Sequence, residues 1–143
     1  MVALSMLSIL TVLVGGWAVG YWWWMRPAVS IEHEGTRVVV HTELLGEYPS
    51  EVARVEVIDA NSARTLWTGL PEGDEVQIHS LTLRAGMNDS RPDVFWGRFR
   101  APAAGETPTF RLEPSTAYIV KVCAPAIIPL CQSKSFAFDR TPS

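Results

Sequence analysis

Leu112-Glu113-Pro114-Ser115-Thr116-Ala117-Tyr118-Ile119-Val120-Lys121-Val122 is the stretch on which the fold of this chain turns. Two strand candidates meet in it, Thr109 to Leu112 and Thr116 to Ala124. Both are short runs of the period-2 kind that lie half-buried on a sheet.

The same reading extends outward in both directions. Apolar alternation dominates from residue 29 onward, and no window sustains a helical period. Strands are expected at Val29 to His33, Arg37 to Leu44, Val52 to Asp59, Arg64 to Trp67, Glu75 to Leu83, Val94 to Arg100 and Lys134 to Phe138, with turns at Gly46 to Pro49 and Asn61-Ser62. Many short strands separated by turn residues predict an all-β domain, an antiparallel sandwich or small barrel.

The first residues are of another kind. From Met1 to Met25 there is no Asp, Glu, Lys, Arg or His. At about 1.5 Å per residue a helix of this length crosses a hydrocarbon core of roughly 30 Å. Its end, Tyr21-Trp22-Trp23-Trp24-Met25-Arg26-Pro27, has the order of a membrane interface: aromatic rings at headgroup level, an Arg that reaches outward, then a helix breaker. A transmembrane anchor over 1–26 and a β-sandwich domain over 27–143 are therefore expected. A cleaved signal is the competing reading, with Leu4 to Val14 as its apolar region and a cleavage site near Ala18-Val19-Gly20. It lacks a basic n-region, and the mature chain would start with Tyr-Trp-Trp-Trp in water. Ser8, Gly16 and Gly20 recur on one face of the helix with Gly15 alongside, a surface on which a second helix can approach closely.

The Leu112–Val122 stretch resembles the L-x-P-x-T-x-Y-x-V-x-V segment of fibronectin type III domains. The resemblance implies an Ig/fibronectin-III-like antiparallel β-sandwich in which Leu112 closes strand E, Tyr118 forms a corner by returning its hydroxyl to backbone, and Val120 and Val122 enter the core. It covers about a tenth of the chain. The family's strand-B Trp is replaced here by the Val-Val-Val-His41 run, and the span after Trp67 is long, so an insertion or extra strands are expected near 72–108. Alternating strands would also bring the F–G loop, Cys123-Ala-Pro-Ala-Ile-Ile-Pro-Leu-Cys131, to the end of the domain where the helix begins. Ile127, Ile128 and Leu130 in that loop either meet a neighbouring membrane protein or the lipid surface, or fold back into the core.

Cys123 and Cys131 are the only cysteines, and they bracket this loop. A disulfide between them, implying an oxidising compartment, is the expected state, with two buried thiols as the alternative. His33, His41 and His79 all precede Cys123, and no Met follows Met87, so a blue-copper ligand order fails. The sequence has no phosphate loop, G-x-S-x-G elbow or H-E-x-x-H motif. Asn88-Asp89-Ser90 is a formal glycosylation sequon of a kind common by chance. The net charge of −3 is mild and forms no basic stripe, which argues against a nucleic-acid partner.

Together these features predict a chain that is not an enzyme and needs no cofactor. The expected function is a single-pass accessory or scaffolding subunit that packs against integral membrane subunits of a larger complex, for example a respiratory or photosynthetic one, and touches the lipid bilayer. The alternative is a membrane-tethered module that binds a soluble protein or carbohydrate through loops far from the membrane, with Phe95-Trp96 as its best candidate. Arg26 and Arg37 after the helix favour a cytoplasmic domain under the positive-inside rule, whereas the cysteine pair favours a periplasmic or extracellular one, which is the side expected here.

Overall fold

The computed structural model describes residues 2–25, 27–44, 48–49, 51–73, 76–89, 92–100, 109–125 and 130–138. Helix α1 spans Val2–Met25, 24 residues without a charge or a proline to interrupt it. Gly15 and Gly16 do not break the helix, since an apolar helix satisfies its own backbone groups. The Thr11 hydroxyl donates back to the Leu7 carbonyl at 2.8 Å, which satisfies that polar group within the helix.

The rest of the described chain is mostly strand. β1 (Ser30–Glu34) and β2 (Arg37–His41) form a hairpin, and Gly35 takes the positive φ of 64° that this tight turn requires. β3 (Glu43–Leu44) and β4 (Tyr48–Pro49) are a small separate pair; of the turn expected at Gly46 to Pro49, the first half lies outside the described residues and Tyr48–Pro49 is strand, drawn out by its pairing with β3. Then follow β5 (Arg54–Asp59), β6 (Thr65–Pro71), β7 (Gln77–Arg84), β8 (Gly86–Asn88), β9 (Asp93–Trp96), β10 (Phe99–Arg100), β11 (Phe110–Leu112), β12 (Ala117–Ala124) and β13 (Leu130–Ala137).

Two larger sheets organise these strands. One has the order β1-β2-β7-β9 and the other β10-β6-β5-β12-β13, while β11 pairs with β8. All the pairings are antiparallel. The span 72–108, expected as an insertion, supplies β7, which runs between β2 and β9. Leu112 ends β11 opposite Gly86 of β8, and the strand bonded to β2 is β7.

Alternation decides what is buried. Val38 and Val40 of β2, Leu81 and Leu83 of β7, Val55 and Val57 of β5, and Val120 and Val122 of β12 enter one apolar cluster fed by both sheets. Trp67, Leu112, Tyr118, Phe110, Phe136 and Phe138 fill it, with Trp67 against Phe110 at 6.0 Å and Tyr118 against Phe136 at 5.8 Å. Burying aliphatic and aromatic side chains of this size contributes about 1.5–3 kcal/mol each before the ordering entropy is subtracted. On the outer side of the second sheet, Glu56 is only 8% exposed. It bonds Arg54 at 3.1 Å and lies 3.9 Å from Lys121, so the one charge in a crowded mid-sheet position is balanced by two.

Candidate functional site

The described residues offer no group of three or more His, Cys, Asp and Glu able to hold a metal ion. Their notable surfaces are apolar, and they fall in two places.

The first is α1. Every side chain described on it, Ser5 to Trp22, is exposed, and the helix is long and apolar enough to cross a membrane. On one side Val12, Leu13, Gly16, Trp17, Gly20 and Tyr21 line a shallow open groove. Trp17 and Tyr21 stack at 6.0 Å along its rim, as residues one turn apart do. A Cβ added at Gly15, Gly16 or Gly20 would meet nothing within 4 Å, so among the described residues none fills the face those glycines open. Ser8 lies further along the helix and is not among the groove residues. Tyr21 and Trp22 are exposed at the end of the helix. Trp23 and Trp24 continue it, but their side chains, like Arg26, fall outside the described residues.

The second surface is the end of the sheets nearest α1. Pro27, two residues after the helix, is already buried in the domain. Cys123 and Cys131 face each other across β12 and β13 and are joined by a disulfide, with Cα atoms 4.0 Å apart. Leu130 is half-buried, whereas Ile127 and Ile128 lie outside the described residues. Phe95 and Trp96 are 56% and 65% exposed. The Phe95 ring meets the edge of His79 at 5.0 Å.

Register fixes where those aromatics stand. Ser30 is opposite His41, His41 opposite Ser80, and Ser80 opposite Asp93. Because β9 runs back toward the start of β1, Trp96 pairs with Gln77 at the helix-proximal end. Backbone bonds carry this end across to the second sheet: Glu51 bridges Gln77, the Val52 N–H donates to the Val76 carbonyl at 2.9 Å, and the Ala53 N–H donates to the Cys123 carbonyl at 2.8 Å. Phe95 and Trp96, expected as a candidate surface far from the membrane, are therefore at the end nearest the helix. The antiparallel return of β9 is the physical reason, and nothing local in the sequence reports it.

At the opposite end the Tyr118 hydroxyl accepts the Glu113 backbone N–H at 2.7 Å, while Leu112 is fully buried beside this corner. Asn88, the sequon asparagine, is 4% exposed there. Its amide donates to the Arg84 and Gly86 carbonyls at 2.8 and 3.1 Å, and its oxygen accepts the Arg84 N–H at 2.9 Å. An amide used in this way stabilises the β7–β8 bend and is closed to glycosylation. His41 bonds Glu32 at 3.1 Å, and His33 is exposed on β1. Compared with protein families, curated proteins and solved structures, the chain matches none of them.

Proposed function

We propose that this chain is a non-catalytic, single-pass membrane subunit that packs against and stabilises a larger membrane protein complex. One observation carries the reading: α1 is apolar and exposed along the whole described length, with an open face at Gly16 and Gly20 that none of the described residues occupies. In lipid, two helices gain little from hydrophobicity, and close backbone approach at small residues is what lets them adhere. The integral membrane subunits of the complex are the partners on this face. The domain is an Ig- or fibronectin-III-like sandwich. Supporting this are the strand order of its two larger sheets and the Tyr118 hydroxyl turned back to the Glu113 N–H. The Cys123–Cys131 disulfide supports a periplasmic or extracellular domain.

The alternative, recognition of a soluble partner through the distal loops, has less behind it. The large apolar side chain exposed at that end among the described residues is Met87, and no aromatic accompanies it.

Purification from native membranes in mild detergent through a C-terminal tag tests the proposal. Stoichiometric integral membrane proteins should accompany the full chain and be lost from a Gly16→Leu, Gly20→Leu variant that stays in the membrane. A chain that purifies alone in wild-type form would overturn it.

A further inference from the structure

The helix-proximal end of the domain carries two exposed aromatic residues, and we propose that Phe95 and Trp96 are a second membrane contact, seated in the lipid headgroup layer of the bilayer that α1 crosses. The inference rests on the reading of α1 as a membrane-spanning helix.

Covalent connection and register set the height. Only Arg26 separates the last helical residue, Met25, from Pro27, which is buried in the domain. Consecutive Cα atoms are about 3.8 Å apart, so Pro27 lies within about 8 Å of the helix end. Ser30 follows Pro27 by three residues, a reach of at most about 11 Å, and from Asp93 to Trp96 the chain returns three residues toward the helix end of the sheet. At about 3.3 Å per residue the β9 run covers roughly 10 Å. Since Ser30 and Asp93 stand on one level across β1, β2, β7 and β9, Trp96 lies on the helix side of Ser30, as Pro27 does by its link to α1. Headgroup layers occupy roughly 5–8 Å on each side of the hydrocarbon, so this is the depth at which α1 delivers the domain.

The chemistry matches the depth. An indole ring prefers the interface, where its apolar body and its polar N–H edge are both satisfied, and the Phe95 ring adds apolar area beside it. Phe95 and Trp96 are each more than half exposed in the chain itself, and Phe95 is steadied by the His79 ring. Arg98 and Glu72 stand beside them, both exposed and joined by the Glu72 N–H to Arg98 carbonyl bond of 2.7 Å. Their charges oppose each other, and exposed Glu51, across Gln77 from Trp96, leaves the corner without a surplus of positive charge, so the contact rests on the aromatic rings and calls for no anionic lipid. Two attachments, the helix and this corner of the first sheet, would hold the domain at a fixed tilt on the bilayer.

Photocrosslinking in the full-length chain, in native membranes, tests this. A benzophenone-bearing phenylalanine is placed in turn at positions 14, 96 and 87, which are exposed on the helix away from the Gly16 groove, at the near end and at the far end. After irradiation, intact-mass analysis should give a phospholipid adduct at 14 and at 96 and none at 87. An adduct at 14 without one at 96, or a protein adduct alone at 96, would overturn the second contact and leave the anchor standing. Lipid adducts at neither 14 nor 96 would remove the membrane-spanning reading on which it rests.

Discussion

The two ends of the domain are built differently. At the end far from α1, turns close on themselves through local polar contacts. Asp59 Oδ1 accepts the N–H groups of Asn61 and Ser62 at 2.9 and 3.2 Å, Glu34 pairs with Arg37 at 3.4 Å, and Arg111 pairs with Glu113 at 2.6 Å. Asn88 and Tyr118 tie backbone there as well. At the near end stand exposed Phe95 and Trp96, a disulfide, and the junction with an apolar helix. The far end leaves Met87 as its exposed large apolar side chain among the described residues, whereas the near end leaves two aromatic rings uncovered. A monomeric domain in water gains nothing from such exposure, and the proposed lipid contact would cover it.

If this contrast is right, changes at the far end should alter stability and leave membrane contacts alone, and changes at the near end should do the reverse, apart from the disulfide. Leu112→Ala has the largest expected effect: a fully buried side chain is lost beside β8, at a cost of about 2–5 kcal/mol in thermal or denaturant unfolding of the purified chain in detergent. Reducing the Cys123–Cys131 bridge, which spans a sequence separation of 8, should cost about 2–3 kcal/mol by the chain-entropy account, and the melting temperature with and without reductant reads it. Tyr118→Phe removes the acceptor of the Glu113 N–H and should cost about 1 kcal/mol, since the exposed Glu113 amide can turn to water. Trp96→Ser should move unfolding by less than about 0.5 kcal/mol, as expected for an exposed side chain, so a large loss of stability would show that its ring serves the fold.

How much of this could be read from the sequence depended on whether local pattern or long-range pairing decides a feature. Val55 and Val57, and Val120 and Val122, alternate with polar or outward residues and report their strands directly. β8 and β4 were not expected, because three or two residues carry no period; they exist through their partners Phe110–Leu112 and Glu43–Leu44. β13 reaches back to Leu130, beyond the expected Lys134, because β12 offers backbone partners along its whole length. The apolar helix was legible from composition alone. The position of Phe95 and Trp96 was not, since it follows from the order β1-β2-β7-β9 and the direction of β9, and a residue's own neighbours encode neither.

Intact-mass spectrometry of the native chain after alkaline washing of membranes decides whether the helix is retained and fixes the domain to a membrane. With the helix in place, a species of about 15.8 kDa, residues 1–25 still attached, is expected in the washed membrane pellet. A shorter chain beginning near Tyr21 and recovered in the soluble fraction would contradict retention.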